Sequence, residues 1–172
     1  FTTDDSEGAA AAVRALIRAG HRRIGILGGD PPNSQISLKR VEGSVRELAR
    51  SGISFDRERQ FEGCRFSMED GYAGAVRLLK RCPDLTAVFA IGDTIALGAM
   101  RAARDLGRRV PEEISFAGFD GIESVKYSIP RLATVHQDTA ELARRGVEDL
   151  LLRISYAHPP VHAVIPFQLI QG

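Results

Sequence analysis

Tryptophan is absent from this chain and aromatic residues make up only 6% of it, so any core must be built from aliphatic side chains and alanine. Only two cysteines occur, Cys64 and Cys82, at a spacing that fits neither a zinc motif nor a redox pair. Two free thiols are therefore expected rather than a disulfide framework. Charge of one sign is missing too. Twenty-three Lys and Arg against 22 Asp and Glu leave a net charge of +1, which removes a general pull toward nucleic acid or membrane. No window approaches the roughly 20 apolar residues of a membrane span, and Phe1 opens no charged-then-apolar leader. The one glycine-rich turn, GILGGD, lacks both the GxGxxG and the Walker spacing. None of the four histidines has a serine or cysteine partner at a catalytic spacing: His21 stands before a strand, His136 beside Gln137, and His158 and His162 in a proline-broken tail. An enzyme is not expected, nor a metal or cofactor.

What is present is an ordinary globular balance, 44% apolar and 26% charged over 172 residues, enough for a sizeable core. The stretch from Thr86 to Asp120 is the most informative. An unbroken apolar run around Val88, Phe89 and Ile91 predicts a strand buried on both faces. Asp93 then opens a helix, read here as its cap, that runs to Leu106 and ends at Gly107. A second apolar run from Ile114 to Phe119 stops at Asp120.

The same alternation fills the rest of the chain. Helices are predicted over 6–19, 37–51 and from Ser67 to before Pro83, the last with a capping-box spacing to Asp70. The second of these turns Val41, Val45, Leu48 and Ala49 inward, and the third buries Tyr72, Val76 and Leu79. Strands are predicted over 23–28, weakly over 60–64, over 132–135 and over 164–170, with a polar loop GDPPNSQ after the first. A helix opening at Asp138 and Glu141 carries Leu142, Val147, Leu150, Leu151 and Ile154 on one side. Arg144, Arg145, Glu148, Asp149 and Arg153 line the other, and His158, Pro159 and Pro160 break it. So wide an apolar stripe, arriving after the sheet is complete, points to a partner element this chain only partly contains. Strand–helix alternation predicts an α/β fold, a parallel sheet flanked by helices with right-handed crossovers.

Such a sheet binds ligands beyond the carboxyl ends of its strands. Arg40, Phe66, Asp93, Asp120 and Gln137 gather there by this reading. Arg40 offers a planar fork, Asp120 an acceptor for paired hydroxyl or N–H donors, Gln137 both donor and acceptor, and Phe66 a stacking face. Each has a plainer role open to it. Asp93 serves more readily as a cap than as a contact, Arg40 can pair with Glu42 or Glu47, Phe66 divides evenly between core and pocket, and a lone amide such as Gln137 usually satisfies backbone.

Taken in order, GHRRIGILGG at 20–29, the R-x-x-G of Arg40 to Gly43, the pair Gly71–Tyr72, TAVFAIGDTIALGAMRAA from Thr86, VPEEISFAGFD from Val110, and IPRLATVHQD from Ile129 to Asp138 resemble the lactose-repressor (LacI/GalR) family of bacterial transcription regulators. The resemblance covers nearly the whole chain. It implies a type I periplasmic-binding-protein-like core, here the C-terminal subdomain over 1–135, a helix over 136–160 completing a mostly absent N-terminal subdomain, and a closing strand over 161–172. It further implies a cytoplasmic, ligand-responsive repressor with a small polar effector (a sugar or sugar derivative first, a purine second). Operator DNA would be bound through a missing N-terminal helix-turn-helix, and the protein would be a homodimer. Arg40, Phe66, Asp120 and Gln137 match the family's effector contacts. Gly92 departs from the Asn that many sugar-responsive members carry, and Ile36 from the threonine of the purine-responsive branch. The small residues Ala96, Gly98, Ala99, Ala102 and Ala103 suit either a dimer helix pair or packing within the chain. A secreted sugar receptor of a transporter is the alternative function.

Overall fold

The computed structural model describes residues 1–29, 34–156 and 159–172. The reading of 29–35 as a polar loop and the break at His158 lie in whole or part outside them. Chain order begins with β1 (Thr2–Thr3), α1 (Asp5–Arg18), β2 (Ile24–Leu27) and α2 (Gln35–Arg50), followed by a short α3 (Arg57–Gln60), β3 (Phe61–Glu62) and α4 (Met68–Arg81). Next come β4 (Ala87–Ala90), α5 (Asp93–Asp105), β5 (Ser115–Asp120), a single 3-10 turn at Glu123–Tyr127 and β6 (Ala133–Gln137). The chain closes with α6 (Thr139–Tyr156), β7 (Val164–Ile165) and β8 (Phe167–Ile170).

Six strands form the main sheet in the order β3-β2-β4-β5-β6-β8. The first five are parallel, as expected; β8 runs antiparallel against β6, from Gln137↔Phe167 to Thr134↔Ile170. This edge strand is the one antiparallel member of the parallel sheet. A single last strand was also expected over 164–170, but Pro166 divides it, and β7 leaves the sheet to pair in parallel with β1. Proline has no N–H to give a ladder, which suits it to such a division.

Central strands β2 and β4 are buried at every position, as their unbroken apolar runs require. Phe89, Phe119, Ile24, Leu27, Leu48, Leu78 and Ile95 are among the largest fully buried side chains. Both cysteines are buried in this core, and neither is in a disulfide. Helix starts follow their polar residues: Asp4, Ser34 and Ser67 each accept an N–H from three residues on. Ser67 also donates its hydroxyl to Asp70 at 2.6 Å, while its own N–H goes to the Arg65 carbonyl, so the predicted box closes through the hydroxyl instead. One inward and one outward assignment are corrected. Ala49 is exposed, its place taken by Ser44 and Glu47, and Asp149 is the one buried residue of α6.

The small-residue stripe of α5 is taken up inside the chain. A Cβ on Gly98 would run into the Met68 carbonyl oxygen, and one on Gly71 into the carbonyl oxygen of Ile95. Helices α4 and α5 therefore cross backbone against backbone. Helix α6 is the opposite case: Val147, Leu150, Leu151, Ile154 and Tyr156 are all exposed, Leu150 by 56%.

Candidate functional site

Three strand ends and two helix starts meet on one edge. Strand β4 delivers the Ile91 carbonyl, β5 ends in Asp120 and β6 ends in Gln137; α1 brings Asp5 and α2 brings Arg40. Arg40 lies in the second turn of α2 rather than the predicted first, because the helix starts at Gln35. The guanidinium is turned inward, leaving Arg40 only 3% exposed. Its Nη1 donates to Asp120 Oδ1 at 2.9 Å and to the Ile91 carbonyl at 2.7 Å, and its Nε donates to Asp5 Oδ1 at 2.8 Å. The guanidinium stacks 3.7 Å from the Phe119 ring centre. Gln137 Nε2 donates to the same Asp120 Oδ1 at 2.9 Å.

Arg40, Asp120 and Gln137 are thus joined through one carboxylate oxygen. Asp120 Oδ2 takes part in neither bond, and the side chain keeps 30% of its surface open. Burial pushes the Asp120 carboxyl above its ordinary range, while the Arg40 charge and the two hydrogen bonds pull against it. The backbone is also unusual, with Asp120 at φ 114. A non-glycine residue there is strained, and such strain persists where surrounding structure enforces it, commonly at binding sites. A fixed cation, a half-open anion and an amide make a polar recognition surface for hydroxyls or N–H groups.

Phe66 stands beside this cluster, 43% exposed. A Cβ on Gly92 would lie 2.9 Å from the Phe66 ring and 3.4 Å from Asp120 Oδ2, so the absent side chain at Gly92 is what lets ring and carboxylate share one floor. Ile36 is exposed one turn before Arg40 on α2. Asp93 does not join the surface. It is 0% exposed, and the cap assigned to it belongs to Gly92, which makes no side-chain cap bond. Its carboxylate accepts instead from the Thr134 hydroxyl at 2.6 Å and the Ile122 N–H at 2.9 Å.

Asp5 is the site residue that sequence reasoning missed. A signal existed: Asp4 is the N-cap of α1, accepting from the Glu7 N–H, so a second aspartate directly after it has no capping work. The alternative partners weighed for Arg40 are excluded in part by geometry, since Glu47 pairs with Arg14 at 2.9 Å. His21 meets the Thr86 hydroxyl at 3.1 Å at the far end of the sheet, and His136 Nδ1 lies 3.3 Å from the Gly121 carbonyl oxygen. Among the described residues no group of three His, Cys, Asp or Glu is placed to hold a metal ion, and no helix is long and apolar enough to cross a membrane.

Residues 13–172 match the periplasmic binding protein-like domain family. The chain is 40% identical over 143 residues to the ribose operon repressor of Haemophilus influenzae, covering 83% of this chain and 42% of that one. It is 36% identical over 150 residues to the HTH-type transcriptional repressor PurR of Haemophilus influenzae strain PittEE, covering 87% and 44%. Among solved structures, a transcriptional regulator CelR–cellobiose complex superposes with a TM-score of 0.93 at 32% identity, over 98% of this chain and 51% of that one. A LacI family transcriptional regulator from Enterococcus faecium with bound ribose superposes with a TM-score of 0.88 at 29% identity, over 98% and 62%. The chain spans less than half the length of these two curated relatives.

Proposed function

We propose, on the premise that this chain belongs to the periplasmic binding protein-like domain family in its branch of LacI-type regulators, that it is the effector-sensing part of a ligand-responsive transcriptional repressor. The observation that carries the proposal is the cluster at the carboxyl edge. Arg40 and Gln137 hold one oxygen of Asp120 while the other faces outward beside Phe66. A small polar molecule with neighbouring hydroxyls meets an acceptor in Asp120, a donor-acceptor pair in Gln137 and an apolar face in Phe66. A sugar or sugar derivative is the first choice, and relatives named for ribose and cellobiose support it. A purine base is the second, favoured by Gly92, by Phe66 and by the relatives named PurR.

In this reading residues 1–135 form one subdomain, 136–160 cross into a second, and 161–172 return. The effector lies between the two subdomains and biases their arrangement. Operator contact falls to a helix-turn-helix outside this chain, and the whole acts in the cytoplasm as a homodimer. Because α4 takes the small residues of α5, the dimer surface lies elsewhere; exposed Tyr127 and Ile129 offer one. A ligand shifts such an equilibrium only by its different affinity for the two arrangements, typically about 1–3 kcal/mol. The relatives quoted are regulators, which favours this function over a transporter's secreted receptor.

A thermal-shift panel of D-ribose, cellobiose and a purine base on the full-length protein tests the reading. Saturation at about 100 times the dissociation constant adds about 2.7 kcal/mol of stability. Asp120→Ala is expected to abolish the shift of whichever compound binds while the unliganded melt stays cooperative. Undiminished ligand affinity in that variant would sink the assignment.

A further inference from the structure

Beneath the effector edge lies a buried carboxylate that the effector reading leaves without a task. Asp93 neither reaches the surface nor caps its own helix. Its two oxygens are spent on two other elements: Oδ1 accepts from Thr134 in β6, and Oδ2 accepts the Ile122 N–H just past β5. Strand β5 makes room for it. A Cβ on Gly118 would run into Asp93 Oδ1, so the strand carries a residue without a side chain where the carboxylate enters.

What this arrangement encloses is the corner at Asp120 and Gly121, whose φ values are 114 and 72. Glycine adopts such a φ freely, but Asp120 holds it only where the surrounding structure enforces it. On the outer flank, Arg40 and Gln137 hold the Asp120 carboxylate. On the inner flank, the Gly121 and Ile122 N–H groups both bond to Asp93, and the Gly121 carbonyl oxygen lies 3.3 Å from His136 Nδ1.

We propose that Asp93 is the positioning residue of this edge: by pinning Ile122 to β6 it fixes the corner that sets where the Asp120 carboxylate meets a ligand, without touching the ligand itself. The inference rests on the reading of Asp120 as an effector contact. Burial holds the Asp93 carboxyl up at about 6, with the Asp120 charge adding to the rise and the bonds from Thr134 and Ile122 opposing it. Protonation places a hydrogen on one of two oxygens that each already face a donor, so the corner loosens as pH falls through that value. The charged and titratable groups on the surrounding elements are Asp120 on β5, His136 on β6, and, beyond Asp120, Arg40 on α2 with Asp5 on α1.

Amide hydrogen exchange on the full-length protein, with D-ribose titrated in parallel, tests the proposal. In Asp93→Ala the Ile122 amide is expected to lose about tenfold or more of its protection and D-ribose affinity to fall by a similar factor, while the Leu48 amide in α2 is unchanged. Asp93→Asn, the same size and still able to accept one bond, is expected to stay within about threefold of wild type at pH 8. It is also expected to lose the fall in Ile122 protection that wild type shows between pH 8 and pH 5. Unaltered Ile122 protection in Asp93→Ala, or raised exchange with undiminished D-ribose affinity, overturns the proposal. So does a pH profile that survives in Asp93→Asn and disappears in His136→Gln. Should D-ribose bind neither wild type nor variant while Ile122 responds as expected, the pinning is supported and only the choice of effector fails.

Discussion

Helices α5 and α6 read alike in sequence, each an apolar stripe opened by a polar residue, and they end in opposite circumstances. Eight of the thirteen residues of α5 are buried, against one of eighteen in α6. The difference is not in amphipathic pattern but in what stands opposite. Helix α5 has the backbone of α4 against Gly98, and its Ile95 and Ala99 are fully buried. Helix α6 faces outward with Val147, Leu150, Leu151 and Ile154, and its polar side is stitched by ion pairs of its own, Arg144 to Glu141 and Glu148, and Arg145 to Glu141. Such exposed pairs hold a helix by tenths of a kcal/mol each, so they can keep α6 formed but not docked. Periodicity reports that a face wants cover; it does not report whether the chain supplies it.

That contrast can be broken at α5 most severely. Gly98→Ala drives a methyl into the Met68 carbonyl, and a loss of about 3 kcal/mol or more is expected in urea unfolding. If Gly98→Ala melts like wild type, the backbone crossing of α4 and α5 is wrong. A second effect belongs to the buried first residue of the same helix. The folded Asp93 carboxyl sits near 6 and its usual value is 3.8, so between those values the folded state keeps a proton the unfolded chain has released. Stability from this group therefore falls as pH rises from about 4 to about 6, by roughly 3 kcal/mol at most, and is level above. Carboxyls held low by arginines, Glu47 and Glu62, run the other way, so the quantity to measure is the difference between wild type and Asp93→Asn at pH 4.5 and 7.5. A pH-independent difference would refute the assignment. The smallest effect sharpens the comparison from the α6 side: Leu150→Ser should change the stability of this chain by less than about 0.5 kcal/mol, because the side chain covers nothing here.

The sheet was legible because β2, β4 and β5 bury both faces and leave unbroken apolar runs that no half-exposed strand would show. Arg40, Asp120 and Gln137 were legible because they lie at the ends of such runs or in a helix that follows one. Asp5 was not: its role depends on a guanidinium 35 residues away, and nothing local marks it beyond its redundancy with Asp4. Asp93 was misjudged for a related reason. A carboxylate at a helix start has a local explanation ready, and only the distant Thr134 hydroxyl and Ile122 N–H show that the carboxylate is used elsewhere. The reversal of β8 escaped because a strand's direction is set by the path of the preceding chain, here through α6 and β7, and not by its own residues.

Gln137 ties Asp120 to the end of β6, and only Asp138 separates it from the first residue of α6. At about 1.5 Å of rise per residue, the eighteen residues of that helix form a rod roughly 27 Å long. Gln137 therefore stands at the base of that rod. By geometry alone, a tilt of about 5° at the base corresponds to roughly 2 Å at the far end, the size of a helix shift.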